Sequence, residues 1–328
     1  MSIATYRARV VAGLGEQGVA VCDVPAAQRG TPDVDLLWDP GLGMRRVAPV
    51  IARASLPLAV TVHGLLGFVL SDQEAGDGGF DVARRLVQRM RIRASWRSIR
   101  GRVGAVITPS AYGAREVQEV LGIDASRVHA IHHGVDHETF RPLGARDVPS
   151  RPYFVVVAQH QPKKNVERIL AAHAALPAEG RPALVAVVPG LPATVNPHDG
   201  VELRRAAASP SELAALFRGA LALVLPSLHE TFGMPLLEAM ACGCPVLTSN
   251  TTACPEVVGD AGLVVDPRDV VAIRDAMVRL ATDAGLRARL HDHAVARAAS
   301  FTWERCASGH AAVLAGVAAA HAGTGVAR

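Results

Sequence analysis

Glu230 and Glu238 frame a turn-rich loop, His229 to Met234, that runs into Pro235. The preceding run, Leu221–Leu225, is uncharged and apolar and reads as a buried strand ending at Pro226. After Pro235 the pattern becomes helical and stops near Gly243. A strand–loop–helix unit of this kind aims the free N–H groups of the helix's first turn at the carboxyl end of a strand. Open parallel sheets bind their ligands there, and a helix N-terminus favours a diphosphate. Gly233 would let the backbone approach such a ligand with no Cβ in the way. Two carboxylates beside phosphates repel them unless they accept hydrogen bonds from hydroxyls. Sugar and ribose diols are the natural partners.

A second group of chemistry-bearing residues lies in VVVAQHQPKKNVERIL, residues 155–170. A strand enters a polar turn, passes Lys163 and Lys164, and continues as a helix. Cations at a helix start oppose its dipole, so the pair points to an anionic ligand rather than to a solvated surface.

The remaining sequence supplies elements to position these groups. Short apolar strands are expected at Leu58–Val62, Ala105–Ile107, Val128–Ile131, Tyr153–Val157, Ala183–Val188, Ala222–Leu225, Pro245–Thr248 and Gly262–Val265. Ala/Leu/Arg helical stretches separate them, the pattern of parallel sheets covered on both faces. Ser209-Pro210-Ser211-Glu212 spells a capping box, Ser110 heads a helix, and Thr302 is placed to cap a last helix from Trp303 to about Ala320. The alternation pauses at Arg141–Pro152, which places a domain boundary there: residues 1–147, then 148–301, then a final helix within 302–328.

Composition narrows the alternatives. No apolar run approaches the roughly 20 residues of a membrane span, and the N-terminus lacks the pattern of a secretory signal. Five cysteines without a CxxC pair suggest no disulfide framework, so cytoplasm is the expected compartment. Only 4% of residues are aromatic, which argues against a base-stacking surface and hence against nucleic acid. Asp33-Val34-Asp35 spells D-x-D but leads into an expected strand, and His129, His132, His133 and His137 lack zinc spacing; no metal site is expected.

Glu-x7-Glu enclosing FGMP, followed by EAMACGCPV and PEVVGDAGLVVDP, resembles the retaining glycosyltransferases of the GT-B type numbered family four. The likeness is strongest over residues 153–270. It implies an α/β fold of two Rossmann-like doubly wound domains facing a cleft, with the nucleotide-sugar on the second domain, the acceptor on the first and the last helix crossing back to the first. By resemblance Glu230 contacts the donor sugar and Glu238 the ribose diol. The amides of Thr231, Phe232, Gly233, Met234 and Pro235 bind sugar and phosphate. Lys164 matches the family lysine that grips the diphosphate; Gln159 stands where an arginine is common, with Lys163 as the compensating cation. AVTVHGLLGF resembles the strand that ends in a histidine near the donor sugar, giving His63 a role in positioning a sugar hydroxyl or the transition state. SIATYRARVVAGL resembles the helix that follows the family's first strand and Gly-rich loop, so those two elements are expected to be absent.

The resemblance implies transfer of a hexose with retention, without metal or cofactor, through a front-face, oxocarbenium-like state. GDP-mannose is the first donor expected, then UDP- or dTDP-sugars, with a glycan, lipid-linked or small-molecule acceptor. A nucleotide-sugar epimerase of the same fold and a non-catalytic sugar-nucleotide binder are the alternatives. Between Arg84 and Arg102 stand eight arginines and no acidic residue. With apolar residues at 83, 86, 87, 90 and 94, the segment 81–103 fits an amphipathic helix that could touch an anionic membrane.

Overall fold

The structure is a computed structural model that describes residues 3–24, 32–42, 47, 49–53, 55–65, 79–146, 151–195 and 197–323; side chains of Pro49 and of 79–85 lie outside that description. In chain order the first elements are α1 (Ile3–Glu16), β1 (Leu37–Asp39), α2 (Pro49–Arg53), β2 (Leu58–Thr61), α3 (Gly79–Ile99), β3 (Val103–Thr108), α4 (Ala111–Leu121) and β4 (Val128–Ala130). Then come β5 (Tyr153–Val157), α5 (Val166–Ala174), β6 (Ala183–Val187), β7 (Val201–Arg204), α6 (Pro210–Gly219), β8 (Ala222–Leu225) and α7 (Met234–Ala241). The chain ends through β9 (Val246–Ser249), α8 (Cys254–Val258), β10 (Gly262–Val265), α9 (Val270–Thr282), α10 (Ala284–Ala298) and α11 (Trp303–Gly323).

Two compact units result, one formed by residues 1–134 with 302–328 and the other by 135–301. The expected boundary at 147/148 lies outside the described residues. The division falls earlier because the stretch after Gly134 is fastened to the second unit. Phe140 packs on Phe217, and Arg218 donates to the carbonyls of Arg141 and Ala145. Within the first unit, α11 packs along α1 and β3.

Both sheets are parallel. The first has the order β1-β2-β3-β4 and the second β10-β9-β8-β5-β6-β7. In the second sheet β5 pairs with β6 on one side and with β8 on the other. Strand order therefore reverses at β5, the kind of switch point at which open parallel sheets bind ligands beyond the carboxyl ends of their strands. Every residue of β8 is buried, as its unbroken apolar run requires.

Local signals act where they stand in the sequence. The capping box at Ser209 and Glu212 is formed with both of its bonds, and Ser110 accepts from the Gly113 amide to cap α4. In α3 the buried face is Ile92, Trp96 and Ile99. The apolar set 86, 87, 90 and 94 is a different face: Leu86 (55% exposed), Val87 and Met90 (55%) point to solvent. Ala83 lies outside the described side chains. The sheet selects the face with the larger tryptophan and isoleucine residues, a choice helical spacing alone does not make.

Candidate active site

The loops after β5 and β8 are tied together at the switch point. The Leu228 amide donates to the Lys163 carbonyl at 2.7 Å. Asn165, buried and in the left-handed conformation (φ 61°), donates from Nδ2 to the carbonyls of Pro226 (2.9 Å) and Pro267 (2.6 Å) and accepts from Arg168 on Oδ1. Asparagine tolerates that conformation better than other side chains, and its amide here fastens three loops. Asn165 closes the Pro162-Lys163-Lys164-Asn165 stretch that resembles the family pattern, but the sequence gives it no role of its own. Its positive φ and its distant carbonyl partners are visible only in three dimensions.

At the centre of this knot Lys164 Nζ lies 2.5 Å from Glu230 Oε1, the two side chains being 13% and 7% exposed. Ser227 Oγ donates to the same oxygen at 2.8 Å. The Glu230 backbone is held as well: its amide donates to Thr252 Oγ1, and its carbonyl accepts from the Ala253 amide. Thr252 has φ 60°, a conformation costly for a β-branched residue and kept only where the surroundings impose it. Burial alone would raise the Glu230 carboxyl. The charges of Lys164 and Lys163, with hydrogen bonds from Lys164 and Ser227, outweigh it and hold the group below its ordinary value. Glu230 is thus a carboxylate, and a charged pair is preformed at the carboxyl ends of β5 and β8.

The helix that follows begins at Met234, one residue before Pro235, with Gly233 as its N-cap at φ 93°. A Cβ on Gly233 would come 2.8 Å from Leu236 Cδ1, the end of a side chain that can shift, so it is the backbone conformation that requires glycine. Thr231, Met234 and Pro235 are partly exposed. Phe232 is different: its ring is buried 6.0 Å from Phe301, so only its backbone remains available to a ligand. Glu238, one turn into α7, is partly buried, and burial raises its carboxyl. Gln159 is exposed and accepts from Gln161 Nε2 at 3.4 Å. The sequence assigns Lys164 and Glu230 separate roles; the structure joins them directly.

In the first unit, His63 follows β2. Its Nε2 lies 2.9 Å from the Pro40 carbonyl, and its ring stands near Tyr6 (4.5 Å) and His133 (5.4 Å). Among the described residues no group of three His, Cys, Asp or Glu could hold a metal ion, and no helix is long and apolar enough to cross a membrane.

Comparison with known proteins places these loops in context. Residues 145–297 match the family model described as glycosyl transferases group 1, and residues 26–139 match glycosyltransferase family 4. Over 230 residues the chain is 33% identical to the serotype-specific mannosyltransferase WbdA of Escherichia coli, covering 63% of this chain and 28% of that protein. Over 276 residues it is 31% identical to a D-inositol 3-phosphate glycosyltransferase of Mycobacterium tuberculosis (strain H37Ra), covering 77% of this chain and 55% of that one. The chain thus spans about a quarter to a half of the length of these relatives. The solved structure of WaaG, a glycosyltransferase involved in lipopolysaccharide biosynthesis, superposes with a TM-score of 0.69 at 15% identity over 94% of this chain and 95% of that one. The fold is accordingly GT-B, with two parallel-sheet α/β domains.

Proposed function

We propose that the chain is a retaining glycosyltransferase that moves a hexose from a nucleotide-diphosphate sugar to an acceptor hydroxyl without a metal ion. The observation that carries this reading is the buried Lys164–Glu230 pair, set with Ser227 at the switch point of a parallel sheet. A diphosphate placed there meets Lys164, Lys163 and the first amides of α7, the cations and dipoles that would stabilise a departing anion. Glu230, held ionised, accepts from sugar hydroxyls and sits beside positive charge developing at the anomeric carbon. Glu238 accepts from the ribose diol, and the amides from Thr231 to Pro235 bind sugar and phosphate. Front-face substitution through an oxocarbenium-like state, the mechanism the family resemblance implies, retains the anomeric configuration, with Glu230 as electrostatic support.

The name of the mannosyltransferase relative favours a mannose donor, with GDP-mannose first and UDP- and dTDP-sugars as the alternatives. The test is calorimetric titration of each nucleotide-sugar, followed by transfer assays on mixed acceptors with NMR assignment of the product's anomeric configuration. An inverted product would reject the mechanism. Conversion of the donor sugar with no acceptor present would make the chain an epimerase instead.

A membrane surface is the second partner proposed. Leu86, Val87 and Met90 stand exposed on α3 among Arg91, Arg93 and Arg97, opposite the buried Ile92–Trp96–Ile99 face. Interleaved apolar and cationic residues suit an anionic bilayer, at about 1 kcal/mol per arginine near the surface. Cosedimentation with phosphatidylglycerol vesicles should exceed that with phosphatidylcholine, and Leu86→Ser with Met90→Ser should weaken binding to both. Equal binding to both lipids would remove this partner.

A further inference from the structure

The carboxyl ends of β1 and β2 carry a polar cluster whose hydrogen-bond directions are fixed throughout. His310 Nδ1, on α11, lies 2.7 Å from the Cys306 carbonyl. A carbonyl only accepts, so Nδ1 bears the proton. Burial pushes His310 down to about 4, so the ring is neutral at pH 7 and its Nε2 is an acceptor. Tyr6 Oη, 2.6 Å from that nitrogen, must therefore donate to it. The phenol oxygen then accepts from Thr61 Oγ1 (3.2 Å), and Thr61 accepts from Trp38 Nε1 (3.0 Å). One directed chain, Trp38 to Thr61 to Tyr6 to His310 to the Cys306 carbonyl, joins β1, β2, α1 and α11.

The ring on which this chain converges is fully buried and meets His63 almost at right angles, with centroids 4.5 Å apart and planes at 84°. It also touches the buried His133 ring at 4.9 Å. The Pro40 carbonyl only accepts, so His63 Nε2 bears a proton. The imidazole is thus held in its plane by one contact and across its plane by the other. Rotation about its χ2 breaks the Pro40 bond or drives the ring into Tyr6.

We propose that Tyr6 is the positioning residue of His63, anchored by α11 through His310 so that the imidazole keeps one orientation and one tautomer. The proposal rests on the reading of His63 as the side chain that positions a sugar hydroxyl. It makes the hydroxyl of Tyr6 necessary as well as its ring: the ring confines His63, and the hydroxyl confines the ring. A purely packing role would be filled by phenylalanine, which would leave His310 Nε2 buried without its donor.

The experiment combines the imidazole nitrogen spectrum of the full chain with donor kinetics, for wild type, Tyr6→Leu, Tyr6→Phe, His310→Gln and His63→Ala. The His63→Ala spectrum assigns the signals. Wild type should show His63 as a single Nε2–H tautomer. Tyr6→Leu should average the tautomers and lower kcat by roughly tenfold, the size expected for a misaligned group, with donor KM changed less than about twofold. Tyr6→Phe should broaden the same signals with a smaller loss, and it keeps the test open if the leucine variant fails to fold. His310→Gln, whose amide oxygen can accept from Tyr6, should retain the wild-type spectrum. A single Nε2–H tautomer persisting in both Tyr6 variants overturns the proposal. If His63→Ala transfers sugar at the wild-type rate, the catalytic reading of His63 falls, and the spectra still decide whether Tyr6 holds the ring.

Discussion

Replacing Lys164 by methionine removes the counter-ion of a carboxylate that is 7% exposed and leaves it the Ser227 hydroxyl as a side-chain donor. Breaking a buried ion pair from one side costs about 3–5 kcal/mol. An upper bound comes from the carboxyl's own escape route, which is to take up a proton. Neutralising a carboxyl of ordinary pKa about 4.3 at pH 7 costs about 1.4 kcal/mol per pH unit, hence about 4 kcal/mol; at pH 5 the same step costs about 1 kcal/mol. The sign follows from linkage. In wild type the Glu230 value is depressed, so the group's contribution is present above the ordinary carboxylate range and steady between pH 5 and 7. In Lys164→Met the folded-state value is raised, so the destabilisation shrinks as pH falls. Expected losses are therefore about 3–4 kcal/mol at pH 7 and about 1 kcal/mol at pH 5. Adding Glu230→Gln should recover most of the loss at pH 7. All three tryptophans lie in the first unit, so their fluorescence is silent on this perturbation. Urea titration read by hydrogen exchange of peptides from β8 and β9 reports it. A loss that does not change between pH 5 and 7, or that the second substitution fails to relieve, would refute the assignment of Glu230 as a buried, Lys164-dependent carboxylate.

Other outcomes are expected from the same geometry. Asn165→Ala should destabilise the second unit by about 2–4 kcal/mol, because two buried carbonyls lose their donor, and thermal unfolding measures it. Glu238→Gln should weaken nucleoside diphosphate binding by about 1–3 kcal/mol in calorimetry, whereas Glu230→Gln should spare the diphosphate and impair the sugar-bearing donor. The first unit should be acid-labile. His310 is pushed down to about 4 and the buried His133 is also lowered, so the unfolded chain binds more protons below its ordinary value of 6.5. Stability is then lost as pH falls from about 6.5 toward 4, by roughly 3 kcal/mol for His310, and tryptophan fluorescence across a pH series should show it. Transfer activity should survive exhaustive EDTA treatment; strict dependence on added manganese or magnesium would contradict the proposed chemistry.

The carboxylate–loop–helix unit at 226–241 is legible in sequence because strand, glycine cap and helix are adjacent in the chain and follow local rules. The caps at Ser110 and Ser209 are legible for the same reason: each bonds an amide three residues away. What sequence does not contain is adjacency across the sheet. β5 lies beside β8 only because strand order reverses there, and that reversal brings Lys164 onto Glu230 across 66 positions and Asn165 onto Pro267 across 102. The face that α3 buries, Ile92, Trp96 and Ile99, is not legible in sequence because periodicity ranks faces by composition, whereas burial is decided by the surface against which an element packs. Tyr6 carries no sequence signal at all. Its partner His310 stands 304 residues away, and the direction of their bond depends on a tautomer that the turn of α11, through the Cys306 carbonyl, selects. Residue chemistry and local backbone rules thus determined which groups could act, and the non-local hydrogen bonding of the folded sheets decided which of them meet.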